Sequence, residues 1–147
     1  MTEQQLSEVF QKAIHYFERL KEARVPFIGN YPCNSCETTS SLLACAIQKL
    51  SPGLDVLVVK GTRPSAYEMH FWVEAEGIAL DPTAHQFSEY DAPIFKAIPN
   101  PLQEKFSVIE RFSPNQALAK TEELGFSSVQ QQGLVNEFID EYGLKSI

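Results

Sequence analysis

The stretch HFWVEAEGIALDPTAHQF, residues 70–87, decides the fold of this chain. It holds two apolar-alternating runs, HFWVEA and IALD, and the Glu-Gly pair at 76–77 between them is typical of a two-residue hairpin turn. That turn pairs Trp72 with Asp81 and leaves His70 one diagonal step from the aspartate. Side chains alternate between the two faces of a strand, so these three residues share one face. We therefore predict that the carboxylate of Asp81 reaches the imidazole of His70.

The other face of the hairpin is apolar and is the predicted core side of the sheet. Its members are Phe71, Val73, Ile78 and Leu80. On the polar face, Trp72 can join the core or wall the acyl site beside the histidine, and because it faces the same side as His70 we expect it to do both. His70 and Asp81 taken alone also fit a polar pair that merely closes the end of a sheet. The pair indicates a catalytic site only if a further reactive group lies beside it.

The elements around the hairpin predict a single α+β domain over residues 1–147. Apolar residues at helical spacing and capping residues predict four helices, which lie at residues 2–24, at residues 35–50, within SPNQALAKTEELG, and from Ser127 or Ser128 onward. Three further strands are predicted, in LDVLVVKG as a buried central strand, in PIFKAI and in FSVIERF. The run TRPSAYE predicts a loop. Helices before and after a small, mostly antiparallel sheet define the α+β class.

Composition and charge exclude several classes of function. Twelve basic and nineteen acidic residues give a net charge of -7, which argues against nucleic acid and anionic membranes as partners. The longest apolar runs, such as LDVLVV, are too short to span a bilayer. The start MTEQQLSEVF is polar and contains no recognisable signal peptide. We expect the cytoplasm, or secretion as an effector by a route without such a signal.

The run CNSCETTSSLLACAIQKL places Cys36 at the start of a predicted helix, with Asn34 or Ser35 as the cap. Unpaired N–H groups and the positive end of the helix dipole stabilise a thiolate there and can hold a developing oxyanion. An imidazole that takes the thiol proton and a carboxylate that orients the imidazole complete the set for acyl transfer. Cys36, His70 and Asp81 are therefore the predicted catalytic residues.

Three cysteines are an odd, low number that makes a poor disulfide framework, which indicates a reducing compartment. Cys45 lies among apolar helix positions and is predicted to be a core thiol. Cys33 and Cys36 form a CxxC pair that has three interpretations. It can be a redox pair, part of a zinc site with His70 and His85, or a nucleophile whose reversible disulfide with Cys33 switches it off.

These residues resemble the transglutaminase-like branch of the papain-like cysteine superfamily. The resemblance consists of a cysteine at a helix start, a strand VLVVKG that ends in glycine, a His-x-Trp-x-Glu strand and a strand that ends in DPT. It covers roughly residues 30–90 and is nearest to small bacterial proteins akin to toxin domains that deamidate glutamine. Two positions depart from the pattern. Glu37 stands where papain-type enzymes usually have an aromatic residue, and His85 replaces a common acidic residue.

The resemblance implies a papain-like or transglutaminase-like fold in which Cys36 is the nucleophile, His70 the base and Asp81 the orienting acid. It also implies a side-chain amide that donates to the oxyanion. Asn30, six residues before the cysteine, and Gln86, after the aspartate strand, are the two candidates. Both amides also fit a simpler role in capping the backbone of a loop.

The predicted activity is hydrolysis of an amide bond in a protein or peptide by a thiol enzyme that needs no cofactor or metal. A glutamine deamidase and a protease both fit. The alternatives are transglutaminase-type cross-linking and a catalytically inactive binding module of the same fold. The acidic surface suits a basic protein partner, as for a secreted bacterial effector, and it equally suits an ordinary cytoplasmic enzyme.

Overall fold

A computed structural model describes residues 1–96 and 100–146 of the chain. Within these residues it has five α-helices and one five-stranded antiparallel sheet, so the predicted α+β class is confirmed. The helices are α1 Glu3–Glu22, α2 Cys36–Leu50, α3 Pro101–Lys105, α4 Pro114–Glu123 and α5 Ser128–Glu141. The strands are β1 Val56–Arg63, β2 Glu68–Ala75, β3 Ile78–Asp81, β4 Ile94–Phe95 and β5 Ser107–Phe112. None of the described helices is both long and apolar enough to cross a lipid bilayer.

The sheet has the strand order β4-β3-β2-β1-β5. Strands β2 and β3 pair in the predicted register, with Val73 opposite Leu80. Glu76 and Gly77 both have positive φ, at 50° and 77°, as the type I′ turn of a two-residue hairpin requires. The turn therefore sets the register that brings Asp81 to the same face of the sheet as the residues at the start of β2.

Helix α2 covers one face of the sheet and packs on β1 and β2, while α1, α4 and α5 pack around the helix. The hairpin residues Phe71, Val73 and Leu80 face it, as predicted. The buried apolar side chains between the helices and this face form the main core, whose members include Phe10, Phe17, Leu43, Ile47, Val58 and Phe138. The main core holds the start of α2 near the end of the sheet where β2 begins.

The opposite face of the sheet carries a second core. Its buried members are Val59, Trp72, Ala79, Ala84, Ile94, Leu102 and Phe106. Gly61 on β1 lies directly under this cluster, because a Cβ there would be 2.8 Å from both the Trp72 ring and the Cβ of Phe106. A side chain at Gly61 would therefore displace one of these aromatic residues.

The predicted helix caps are confirmed at α1 and α4. Thr2 and Gln5 form a capping box at the start of α1, and Ser113 and Gln116 form one at the start of α4. Gly125 follows α4 with φ +101°, a conformation that a side chain would strain. Local sequence is sufficient to place these helix ends.

The run TRPSAYE is only partly the loop that its sequence predicts. Strand β1 continues to Arg63 and β2 begins at Glu68, so the break is a 3₁₀ turn at Pro64–Ala66 followed by Tyr67. The two strands pair with each other up to this turn, and that pairing overrides the weak strand preference of the sequence.

The proline-containing segment before β5 also differs from the prediction. Of the predicted strand PIFKAI, Ile94–Phe95 pair with β3, and positions 97–98 lie outside the described residues. Helix α3 at Pro101–Lys105 was not predicted. Its start has a local cause, because Asn100 caps it and a proline occupies its first turn.

Candidate active site

Cys36 is the first residue of α2, and Ser35 is the N-cap residue. The Ser35 hydroxyl makes no capping hydrogen bond and has no partner in the described part of the chain. Its carbonyl oxygen accepts from the N–H and the hydroxyl of Thr39, at 2.9 and 2.8 Å. The N–H groups of the first turn of α2 therefore make no capping hydrogen bond with the Ser35 hydroxyl, and they can stabilise a negative charge at the sulfur of Cys36.

His70 and Asp81 form the predicted buried pair. The Nε2 atom of His70 lies 2.6 Å from Oδ2 of Asp81, and both side chains have no exposed surface. A carboxylate can only accept a hydrogen bond, so Nε2 carries the proton and donates it. The other carboxylate oxygen, Oδ1, accepts from the backbone N–H of Thr83 at 2.9 Å and from its hydroxyl at 3.3 Å. Asp81 is thereby held in one orientation by the turn that follows β3.

Gln86 closes a ring of hydrogen bonds around this pair. Its Nε2 amide lies 3.3 Å from Nδ1 of His70 and donates to the Thr83 hydroxyl, also at 3.3 Å. The 3₁₀ turn Ala84–Gln86 folds the chain back toward β2 directly after the aspartate strand. Of the two amides named from the sequence, Gln86 is the one that reaches the imidazole.

The thiol of Cys36 approaches the same imidazole. Burial lowers the pKa of His70, but the charge and the hydrogen bond of Asp81 raise it, and hydrogen bonding and charge at Cys36 raise it further, to about 9. Because Asp81 occupies Nε2, Nδ1 is the nitrogen left for the sulfur. This contact is looser than the one to Asp81, since the sulfur does not meet the full distance and angle of a directed hydrogen bond. Such loose pairs are common in resting active sites.

Three aromatic rings of the second core enclose the His70 ring. Trp72 lies 6.0 Å away between ring centroids, Phe106 lies 5.4 Å away, and Phe87 meets the imidazole edge-on at 4.9 Å. Trp72 is fully buried, so it supports the imidazole from the core and presents no surface to a substrate. Of the two roles considered for Trp72, the structure favours the core.

No described hydrogen bond joins the side chain of Asn30 to His70 or its partners. It lies on the exposed loop between α1 and α2, where it lines a shallow depression with Arg24, Phe27 and Asn34. Its carbonyl oxygen accepts from the N–H of Cys33 at 2.8 Å. The role that the structure gives Asn30 is to close a turn of the loop.

The three thiols lie in different environments, and all are free. Cys33 is exposed and is not bonded to Cys36. Cys45 is buried, its Sγ donates to the carbonyl oxygen of Pro114 at 3.6 Å, and burial raises the pKa of its thiol to about 11. Cys45 is therefore the core thiol that its helical position predicts.

His85, the other ligand of the possible zinc set, packs its ring edge-on against Tyr31, with 5.5 Å between centroids, and burial lowers its pKa. Among residues 1–96 and 100–146, no three His, Cys, Asp or Glu side chains are arranged to hold a metal ion. The zinc interpretation of Cys33 and Cys36 has no assembled ligand set to support it.

Sequence reasoning missed Thr83, Phe87 and Phe106 as supports of the site. Thr83 had a local signal, because an aspartate commonly accepts from the backbone two residues later. Phe87 stands at the end of the stretch that decides the fold, but nothing local directs its ring to the histidine. Phe106 is placed by packing between distant segments, which leaves no signature in its neighbours.

No protein-family model, curated protein or solved structure gives a significant match to this chain. The resemblance to transglutaminase-like and papain-like enzymes stays a prediction from the motifs.

Proposed function

We propose that this chain is a cysteine-dependent acyl-transfer hydrolase that cleaves an amide bond of a protein or peptide. The observation that carries the proposal is that the two ring nitrogens of His70 have different partners. Nε2 is held by the buried carboxylate of Asp81 at 2.6 Å, which leaves Nδ1, 3.3 Å from the Gln86 amide, as the nitrogen available to the thiol of Cys36. A base that shuttles one proton needs this arrangement, because one nitrogen must be fixed while the other exchanges the proton.

In the first proposed step, the proton of the Cys36 thiol passes to Nδ1 of His70, and the charge of Asp81, which raises the pKa of His70, favours the resulting thiolate–imidazolium pair. The sulfur then attacks the amide carbon, and the carbonyl π electrons move onto oxygen. The backbone N–H at the start of α2 and the amide of Gln86 donate to this oxyanion. Collapse of the intermediate re-forms the carbonyl and breaks the C–N bond, and His70 gives its proton to the departing nitrogen.

In the second step, water replaces the amine. His70 takes a proton from water, the hydroxide adds to the thioester carbon, and the C–S bond breaks. The thiolate regains the proton from His70, and the products are a carboxylic acid and the free enzyme. Asp81 supports both steps because its charge and hydrogen bond favour the protonated imidazole against the effect of burial.

Deamidation of glutamine and peptide hydrolysis share this chemistry and differ in the group that leaves. Cross-linking differs only in the acceptor, which is an amine in place of water. The residue after the nucleophile, Glu37, is half-buried and forms no ion pair within the described residues. A carboxylate beside the nucleophile fits a substrate that presents amide or basic groups near the scissile bond. We therefore favour a deamidase or protease acting on a basic protein region.

The first test compares two thiols within one molecule. Iodoacetamide should alkylate Cys36 at least about tenfold faster than the exposed thiol of Cys33, because the imidazole and the helix start favour the thiolate. In His70→Ala most of that advantage should disappear, because only the helix start then favours the thiolate, while the rate at Cys33 should not change. Peptide mass spectrometry gives both rates from one digest. Equal rates at the two thiols in the wild type contradict the proposal.

The second test separates the possible outcomes on a substrate. Basic proteins and glutamine-containing peptides are incubated with the wild type and with Cys36→Ser, and their intact masses are measured. A gain of about one dalton identifies deamidation, fragments identify proteolysis, and joined chains identify cross-linking. A reactive Cys36 with bound but unaltered partners would favour the inactive binding module. Cys36→Ser should keep the wild-type far-UV spectrum, because a small polar substitution at the first helical position costs little stability.

A further inference from the structure

We propose that Lys105 is a positioning residue for His70 that acts through the ring of Phe87. This inference rests on the proposed function and adds a distant residue to the same site. Lys105 is the last residue of α3, on the side of the sheet that carries the second core. It does not reach the imidazole itself.

The contacts form a chain of two steps. The ammonium nitrogen of Lys105 lies 3.9 Å from the centroid of the Phe87 ring and 5.5 Å from that of Phe106. The Phe87 ring in turn meets the His70 ring edge-on, at 4.9 Å and 85° between planes. Phe87 and Phe106 also touch each other, with 5.5 Å between centroids. One cation therefore contacts both rings that flank the imidazole on this side.

The burial of Lys105 needs an explanation, because lysine side chains are seldom removed from water. Its side chain is only 8% exposed, whereas its ion-pair partner Glu89 is 53% exposed and lies at the surface. An apolar side chain would fill the same space without the cost of desolvating a charge. What the charge adds is attraction to the face of a desolvated aromatic ring, which fixes the orientation of that ring.

The orientation of Phe87 matters because of how His70 is held. Asp81 restrains the imidazole at Nε2, but a ring held at one atom can still tilt about that contact. The edge of Phe87 blocks this tilt on one side, and the Nδ1 atom stays directed at the thiol. Small displacements of a reacting group lower rates strongly, so a loosened ring should reduce turnover without changing how substrate binds.

The test uses four variants with wild-type far-UV spectra. Lys105→Met removes the charge and keeps an apolar stem, and Phe87→Leu removes the ring and keeps the charge. Both should lower kcat about tenfold and leave KM unchanged, because both remove one cation–ring contact. Lys105→Arg retains a cation over the ring and should keep wild-type kcat. Glu89→Gln is the matched control, since it removes the ion pair without touching the ring, and it too should keep wild-type kcat.

A second readout does not depend on activity. Nitrogen-15 NMR follows the Nε2 proton of His70 and its exchange with water. Exchange should become about tenfold faster in Lys105→Met and Phe87→Leu, and stay unchanged in Lys105→Arg and Glu89→Gln. Wild-type exchange in both Lys105→Met and Phe87→Leu overturns the inference. If Lys105→Met does not fold, Lys105→Gln takes its place, because it also removes the charge over the Phe87 ring. Failure of the proposed function would appear separately, as a Cys36 that alkylates no faster than Cys33 in the wild type.

Discussion

Replacing Asp81 by asparagine should change how the stability of the protein depends on pH. In the wild type burial lowers the pKa of His70, but the charge and hydrogen bond of Asp81, together with those of Cys36, raise it from 6.5 to about 9. In the unfolded chain the same histidine has its ordinary pKa of 6.5. The folded state therefore binds an extra proton between these two values.

The sign and size of the effect follow from this difference. A group whose pKa is raised on folding stabilises the protein fully below its unfolded pKa, and this stabilisation is lost as the pH rises through the folded pKa. The shift from 6.5 to about 9 corresponds to about 3 kcal/mol in the free energy of unfolding. The wild type should lose that amount between pH 6.5 and the upper end of the titration.

Asp81→Asn removes the largest contribution that opposes burial, so the pKa of His70 should fall from about 9 to near its ordinary value of 6.5 or below. The folded state then binds no substantial excess of protons above pH 6.5, and most of the pH dependence due to His70 is lost in that range. The variant should be less stable than the wild type at pH 6.5. The difference between their free energies of unfolding should decrease by about 3 kcal/mol toward pH 9.5. The ionisable groups other than Asp81 and His70 are present in both proteins, so their own contributions cancel in the difference.

Urea unfolding at a series of pH values measures this difference in the free energy of unfolding, with the fluorescence of Trp72 as the probe. Trp72 is the only tryptophan and is fully buried beside His70, so its signal reports this region. NMR titration of the histidine Cε1–H signals gives the two pKa values directly, with His70→Ala to assign the resonance. A difference that stays constant with pH, or a His70 signal that titrates near pH 6.5 in the wild type, would refute the reasoning.

Two further substitutions probe the surroundings of His70. Gly61→Ala should lower the free energy of unfolding, measured in urea, by about 1–3 kcal/mol, because the new Cβ would lie 2.8 Å from the Trp72 ring and the Cβ of Phe106. Wild-type stability would show that the second core can rearrange at no cost. Gln86→Ala should lower kcat on an amide substrate about 10²–10³-fold if its amide holds the oxyanion. Alkylation of the thiol by iodoacetamide forms no oxyanion and should keep its wild-type rate, so equal losses in both assays would assign Gln86 to the histidine instead.

The half of the site on the hairpin could be predicted because it depends on local rules. A two-residue turn sets the register, and strand alternation puts His70 and Asp81 on one face. The start of α2 at Cys36 could also be predicted from neighbouring residues, because it is marked by the residues just before the apolar face of the helix. The approach of the thiol to the imidazole was not local, because it depends on how α2 packs on the sheet. The requirements of acyl-transfer chemistry and the resemblance to known enzymes predicted that approach.

The two candidate amides show why the rest could not be read from the sequence. Asn30 and Gln86 are both loop residues at comparable distances along the chain from a predicted site residue. Gln86 reaches His70 because the chain turns back within five residues of Asp81, whose own carboxylate organises that turn through Thr83. Asn30 lies on a loop whose turns lead along the surface. The difference lies in backbone direction, which residue type alone does not encode.

The second core explains why the supports of His70 were the hardest part to predict. Phe87, Lys105 and Phe106 come from an irregular segment between β3 and β5 that has no apolar periodicity, so no pattern assigns their side chains to a face. Their positions follow from the sheet face that they cover. Cys36 packs against the main core on one side of the sheet, and His70 lies among the rings of the second core on the other. The thiol and the imidazole that we propose as its base therefore belong to different cores on the two sides of the sheet. Substitutions in either core, far from the thiol, should therefore alter the reactivity of Cys36 by moving one member of the pair.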